Sequence, residues 1–354
     1  MEALGSAGRA VSTRGGAMPV LSGIRAQLTG NALQLTGSDT DLTIEVAITV
    51  NGEGDGVVVL PGRLAGEIVR ALPAGAVVVD IDDEEARITS GRAEFTIRVL
   101  PAEEYPRLPE PAGDPLTIGA GNLSTALKQV VTAASSDDAR PILTGVLLAA
   151  EEGGLRLVAT DSYRLAVRDL PGTAVLSEGQ QVLVPSRALS ELARALTGAE
   201  NVELRLGERD ASFQVGTIRL TTRLIEGEFP NYRGLIPASY PNRLTVGREA
   251  LLEAVRRVKL MAREATPVRM VMRTDGLELV AITQDVGQAH EELDAKYEGT
   301  ELTVAFNPEY LLDGVEVTPG DEVVVSTLDA LKPAVIRSTD GGDFLYLLMP
   351  VRVS

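Results

Sequence analysis

Four consecutive residues, Asp161-Ser162-Tyr163-Arg164, set a carboxylate, a hydroxyl, an aromatic ring and a guanidinium side by side between the apolar stretches LVAT and LAV. A turn carrying these groups has two readings. One is a polar hairpin tip. The other is one wall of a binding pocket, with the ring as contact surface and the charge fixing orientation. The rest of the chain offers less chemistry. The single histidine, His290, stands in VGQAHEELDA beside Glu291 and Glu292, which suits acid–base work or a metal ion. Metal and nucleophile sites need convergent partners, so plain strand surface is the preferred reading. Asp80, Asp82 and Asp83 in VDIDDEEAR look like ligands, but turns favour aspartate and an acidic hairpin tip is expected. With no cysteine, thiol catalysis, disulfides and cysteine-held metals are excluded. No Walker loop, GxSxG or HExxH occurs. The expectation is a protein that is not an enzyme and needs no cofactor.

The elements that position Asp161–Arg164 are strands. Leu157, Ala159, Leu165 and Val167 alternate as a half-buried strand pair should. The same local pattern recurs. Leu33, Leu155 and Leu277 follow GNA, G and G in matched contexts and lie 122 residues apart each time. A strand feeding a helix through Pro61, Pro185 and Pro308 repeats at spacings of 124 and 123, and Tyr105-Pro106 and Phe229-Pro230 are 124 apart. Three anchors at one spacing indicate three copies of a unit of about 120 residues, the size of a domain. Each copy reads as two helices and about eight strands, with proline in the first turn of the second helix, where its missing N–H costs nothing. The first copy lacks the strand that precedes the first helix in the others: its helix starts near Ala3-Leu4. Either the chain begins late or it does without that strand.

Charge is unevenly placed. Helices are expected at 2–14, 62–72, 122–134, 186–196, 248–263 and 308–315. They hold twelve basic and seven acidic residues, a net +5 in a chain of net charge −17, so strands and loops carry −22. Basic helices on an acidic body suit phosphate binding without sequence readout. The run from Val255 to Arg263 is the most basic. Glu309 and Asp313 break the pattern in the sixth helix. No stretch approaches a membrane span and the N-terminus is not a secretory signal, so a cytoplasmic location is expected.

LVATDSYRLAV, LIEGEFPNYRGLIP, FNPEYLLDG, the terminal YLLMPVRVS and the threefold repeat together closely resemble the bacterial β sliding clamp, the processivity subunit of DNA polymerase III. The resemblance covers the chain apart from the first strand. It implies an α+β clamp fold of three domains, 1–113, 114–240 and 241–354, each with two helices on antiparallel sheets. It implies a homodimeric ring around duplex DNA, with partners that include the polymerase III alpha subunit, the clamp loader, other polymerases and repair proteins. Partners would enter by short linear peptides at Leu143, Thr160, Ser162, Tyr163, Arg164, Leu165, Pro230, Leu235, Leu331, Pro333, Leu347, Leu348, Met349, Pro350, Val351 and Arg352. Expected DNA contacts are Arg9, Arg14, Arg63, Arg70, Lys128, Arg140, Arg187, Arg194, Arg256, Arg257, Lys259 and Arg263. Gly234, Tyr163 and the ending Val353-Ser354 depart from the family pattern and bear on partner preference. Pro141 and Ile142 beside Arg140 imply weaker loop contact with DNA. A paralogue with a conditional role is left open by the residues.

Overall fold

The computed structural model describes residues 1–12, 18–82, 84–106, 108, 110–262 and 266–352. Among them run six α-helices: α1 (Glu2–Gly8), α2 (Gly62–Ala71), α3 (Ala120–Val131), α4 (Ser186–Ala195), α5 (Arg248–Val258) and α6 (Pro308–Val317). Everything else regular is antiparallel sheet, apart from short single-turn helices, so the class is α+β as expected.

Two compact units divide the chain, residues 1–121 with 194–224 and residues 122–193 with 225–354. The first holds an eight-stranded sheet in the order Gly56–Pro61, Gly23–Thr29, Ala32–Ser38, Leu42–Thr49, Ile218–Arg223, Asp210–Val215, Asn201–Leu206, Leu116–Gly119. It also holds a three-stranded sheet, Val78–Ile81, Glu85–Ser90, Ala93–Arg98. Ile24, Leu35, Leu60, Ile68 and Ile88 centre its core. Helix α1 lies so close to the sheet that a side chain at Gly37 would collide with the Ala7 carbonyl.

The second unit holds a nine-stranded sheet, Gln181–Pro185, Gly145–Glu151, Gly154–Thr160, Arg164–Leu170, Phe344–Leu348, Ala334–Ser338, Glu322–Thr327, Asn242–Gly247, Ala295–Glu298. Its four-stranded sheet is Gly287–Leu293, Gly276–Thr283, Val268–Arg273, Leu302–Phe306. Leu251, Leu252 and Val255 of α5 face Leu311, Leu312 and Val315 of α6, the i, i+1, i+4 spacing of an apolar helix face. Asn307 caps α6: its Oδ1 accepts from the N–H groups of Glu309 at 2.9 Å and Tyr310 at 3.4 Å, and Pro308 opens the helix.

Four expectations change. The first helix ends at Gly8, not residue 14, because Gly5 and Gly8 weaken it and the Ser12 N–H turns to the Leu21 carbonyl at 2.8 Å. The fifth ends at Val258, followed by a single turn over Lys259–Met261. Pro61 and Pro185 close strands rather than open helices, pairing with Gly23 and Gly145. Both strands are sheet edges, where a missing N–H is tolerated. Finally, the strands around Asp161–Arg164 are not half-buried. Leu157, Val158, Ala159, Leu165, Ala166 and Val167 are all buried, because the pair runs through the middle of the nine-stranded sheet and both faces are covered.

Candidate functional site

The turn at residues 160–164 is built by its own side chains. Thr160 Oγ1 donates to the Arg164 carbonyl at 2.7 Å and accepts from the Ser162 N–H at 3.2 Å. Asp161 Oδ1 accepts from the Tyr163 and Arg164 N–H groups at 2.9 and 3.0 Å, the self-bonding habit that makes aspartate a turn residue. Ser162 takes φ 81°, the left-handed region, a cost the bonds on either side offset. The result projects Ser162 and Tyr163 outward and leaves Tyr163 57% exposed.

Arg164 does not point to solvent. Its Nε donates to Asp161 Oδ2 at 3.0 Å, a terminal nitrogen donates to Asp313 of α6, and the guanidinium lies 4.3 Å over the Tyr310 ring. Burial alone would lower its pKa, but the Tyr346 hydroxyl, Asp313 and Asp161 outweigh that and hold it above the ordinary guanidinium value. Burial likewise raises Tyr346, which stays a phenol and donates to the Tyr310 carbonyl at 2.9 Å. Tyr163 stacks on Tyr310, centroids 6.4 Å apart. Arg164 is thus a brace between the turn and α6, a role suited to a bidentate, always-charged group. Tyr310, Asp313 and Tyr346 were missed from sequence. Asp313 counted only as an acid in an otherwise basic set.

The fold brings Leu165, Leu347, Leu348 and Met349 of the peptide-site candidates to this brace. Arg164 pairs with Leu348 and Leu165 with Leu347 across the ladder, and the Met349 N–H donates to the Tyr163 carbonyl at 2.9 Å. Pro333 precedes Ala334, which pairs with Leu348 from the other side. Phe229 and Tyr232, flanking Pro230 and near Leu235, share a core cluster with Leu165, Leu347 and Met349. The apolar floor is layered, however. Leu165, Leu347 and Leu348 are wholly buried and Leu143 nearly so, supports rather than surface. The exposed apolar groups are Tyr163, Leu235, Leu331 and Val351. Pro230 and Arg352 are also exposed, while Pro333, Met349 and Pro350 are half-buried and Thr160 is buried in the turn. Gly234 leaves open space where a side chain would stand. An array of separated apolar anchors with a few fixed polar groups can seat a short extended peptide.

The basic candidates stand differently. Arg9, Arg63, Arg70, Lys128, Arg140, Arg187, Arg194, Arg256 and Arg257 are exposed and Lys259 half-buried; Arg14 and Arg263 lie outside the described residues. Many are already ion-paired: Arg63 with Glu67, Arg140 with Asp137, Arg256 with Glu316, Arg257 with Glu253 and Glu291, Lys259 with Glu309. The acids of α6 and of the neighbouring sheet neutralise α5, so the net +5 counted from helices alone overstates the field there. Solvent screens exposed pairs of this kind, so phosphates can compete for the arginines.

The other candidates are surface. His290 lies in Gly287–Leu293 with Nε2 2.8 Å from Glu278, which also takes Arg273 at 3.0 Å. Asp82 sits at a hairpin tip, its Oδ1 accepting the Glu84 and Glu85 N–H groups at 3.0 and 2.8 Å, which holds its carboxyl below the usual range. Asp80 belongs to the strand, not the tip, and Asp83 lies outside the described residues. No helix among the described residues is long and apolar enough to cross a membrane.

Known proteins share this sequence and this fold. The DNA polymerase III beta subunit families match along the chain, the N-terminal domain at residues 1–109, the central domain at 117–231 and the C-terminal domain at 233–352. The beta sliding clamp of Streptomyces coelicolor is 36% identical over 330 residues, 89% of this chain and 87% of that protein. Among solved structures, the sliding clamp of Bacillus subtilis superposes with TM-score 0.88 at 32% identity, covering 100% of this chain and 97% of that one. The sliding clamp of Bartonella birtlesii, bound to griselimycin, gives TM-score 0.91 at 32% identity, covering 99% of this chain and 96% of that one. With its fold, its length and its sequence all matched, the chain belongs to the DNA polymerase III beta subunit family, the beta sliding clamps.

Proposed function

We propose that two copies of this chain close head to tail into a ring around duplex DNA, and that the ring tethers a polymerase and recruits other partners through the surface at Tyr163 and Arg164. The observation that carries the recruiting role is the braced turn: an aromatic ring held outward by Asp161, Arg164 and Tyr310, with Leu235, Leu331 and Val351 exposed in the same unit. The binding energy comes from apolar anchors, and a disordered segment loses entropy on ordering, so single-site affinity is on the order of micromolar.

Three sequence copies, read as domains 1–113, 114–240 and 241–354, are too few to encircle a duplex, whereas six suffice. Unpaired edges favour closure between the first and third copies. Ala93–Arg98 is the outer edge of its sheet, with Phe95 39% exposed. Gly287–Leu293 is the outer edge of another, next to the turn that bears Leu260, 79% exposed. Joining those edges between two copies makes two equivalent contacts and a closed assembly. DNA would pass without base readout, held by side chains of Arg63, Arg70, Lys128, Arg187, Arg194, Arg256, Arg257 and Lys259 exchanging carboxylates for phosphates.

The test is topological. Once loaded, the protein should stay on closed circular DNA through a gel-filtration column and leave the same DNA after linearisation. Equal retention on both forms would refute the ring, and light scattering that reports only a 37.4 kDa monomer at micromolar concentration would refute the dimer.

A further inference from the structure

We propose that Glu151 and Arg156 are positioning residues of the peptide surface: they tie the segment 229–236 to the strands that carry the Tyr163 turn, and so set where Leu235 stands. The proposal rests on the recruiting role of Tyr163. Four charged side chains of alternating sign make the tie. Asp169 Oδ1 and Oδ2 accept from Arg156 Nε and Nη2 at 2.6 and 2.9 Å. Arg156 Nη1 lies 3.5 Å from Glu151 Oε2, and that oxygen accepts from Arg233 Nη2 at 2.6 Å. Arg156 and Asp169 face each other on Gly154–Thr160 and Arg164–Leu170, the two strands joined by the Tyr163 turn. Arg233 belongs to the segment. The bond to Asp169, with a smaller part from the Tyr232 hydroxyl, outweighs burial and holds the Arg156 guanidinium above its ordinary value.

The other two sequence copies are internal controls. Glu151 pairs with Gly154 and Arg156 with Asp169, as Thr29 pairs with Ala32 and Gln34 with Ala47 in the first copy. Thr29, Gln34 and Ala47 therefore hold the equivalent positions, and none is charged. In the third copy Arg273 pairs with Gly276, and Glu278 stands opposite Glu292. The signs there are reversed, and Arg273 in place of Glu151 would repel an arginine. Of the three copies, only the one that presents Tyr163 carries this chain of charges.

The segment needs such a fastening. Phe229 and Tyr232 are buried, with Ile225 and Ile236 packed beside them, which fixes its inner side. Leu235 is exposed on a single turn, Arg233–Leu235, closed by its N–H on the Tyr232 carbonyl at 3.0 Å. Gly234 beside it has no side chain and open space around it. Arg233 holds the turn, paired with Glu151 and with its guanidinium 5.5 Å over the Tyr232 ring. Arg156 and Glu151 are mostly buried, where ion pairs are screened less than at the surface. Tyr163 and Leu235, two apolar groups of the peptide surface, are thereby fixed to the same pair of strands.

The experiment uses the whole protein and a synthetic peptide led by glutamine and ended by leucine and phenylalanine. Calorimetry reads its affinity, and amide hydrogen exchange reads the turn. Glu151→Gln leaves Arg156 paired with Asp169 and should fold normally by circular dichroism. Exchange at the Leu235 and Ile236 amides should quicken, and the peptide should bind about threefold to tenfold more weakly. Leu235→Ala should also weaken binding. Glu151→Gln combined with Leu235→Ala should bind no more weakly than Leu235→Ala alone, because Glu151 acts through Leu235. Arg233→Gln, at an exposed position, breaks the same link and should reproduce Glu151→Gln. The proposal is overturned if both variants bind the peptide as the parent does, or if exchange in the turn is unchanged. It is also overturned if the losses from Glu151→Gln and Leu235→Ala add, which assigns Glu151 to general stability. A parent that binds no peptide, or binds it equally well with Tyr163→Ala, overturns the recruiting role itself and this proposal with it.

Discussion

Alanine at position 314 should destabilise the protein although it is a better helix former than glycine. Gly314 lies inside α6 and is buried. On propensity alone the change gains about 1 kcal/mol. A Cβ there, however, would sit 2.9 Å from Tyr346 Cγ and closer still to Cδ1 and Cε1. Tyr346 cannot swing away, being wholly buried and tied by its hydroxyl to the Tyr310 carbonyl. Overpacking of this kind costs about 1–3 kcal/mol, and a rigid ring in a full core puts it at the upper end. The clash therefore wins, with a net loss of about 2 kcal/mol. Gly66, in α2, is the internal control, since the nearest group to its Cβ is the flexible end of Arg70 at 3.6 Å. Gly66→Ala should gain about 0.5–1 kcal/mol. Urea unfolding of both variants against the parent, followed by far-ultraviolet circular dichroism, measures the two signs. Gly314→Ala should also weaken peptide binding at Tyr163, because Tyr346 carries Tyr310 and Tyr310 carries Arg164. Gly314→Ala as stable as the parent would refute the packing argument, and normal peptide affinity despite lost stability would detach the brace from the site.

Three further outcomes are expected. Removing residues 349–354 deletes the Met349 bond to Tyr163 and the Val351 N–H bond to Ala305 at 2.8 Å; calorimetry with a clamp-binding peptide should show no binding, while light scattering still shows a dimer. Neutralising Arg256, Arg257 and Lys259 to glutamine should reduce the salt dependence of DNA retention, by about 0.9 in log–log slope for each phosphate that is no longer neutralised; an unchanged slope means α5 does not meet DNA. Hydrogen bonds from Arg257 hold the Glu291 carboxyl below its ordinary value of 4.5. Its stabilising contribution is therefore present above that pH and is lost as pH falls through the depressed value. Glu291→Gln should lower the melting temperature slightly at pH 7 and progressively less as pH falls below 4.5, whereas an equal effect at every pH would assign the loss to packing.

The repeat and the helix order were legible because they rest on local pattern: prolines, glycines and alternating leucines at a constant spacing. The turn at Asp161 was legible for the same reason. What surrounds it was not. Asp313 is 149 residues from Arg164, and only the ladder that lays Phe344–Leu348 beside Arg164–Leu170 makes them neighbours. Burial of both strand faces was hidden as well, since Ala159 and Ala166 suit exposed and central positions alike. The ion pairs of α5 were hidden for a similar reason: Glu316 and Glu291, which other elements bring to Arg256 and Arg257, lie far from them in sequence.

The ladders that join sequence copies bear on how the molecule carries load. Ile218–Arg223 is stitched to Leu42–Thr49 through five residue pairs, and Arg164–Leu170 to Phe344–Leu348 through another five. Neighbouring copies are therefore fastened by hydrogen-bonded seams as well as by a length of chain. A pull along the strands shears all five pairs together, whereas a pull across them peels one at a time. Tension applied by a partner at the Tyr163 turn enters the second seam at its end, beside Arg164 and Leu348. The two salt links of Arg164 act there as a rivet against peeling.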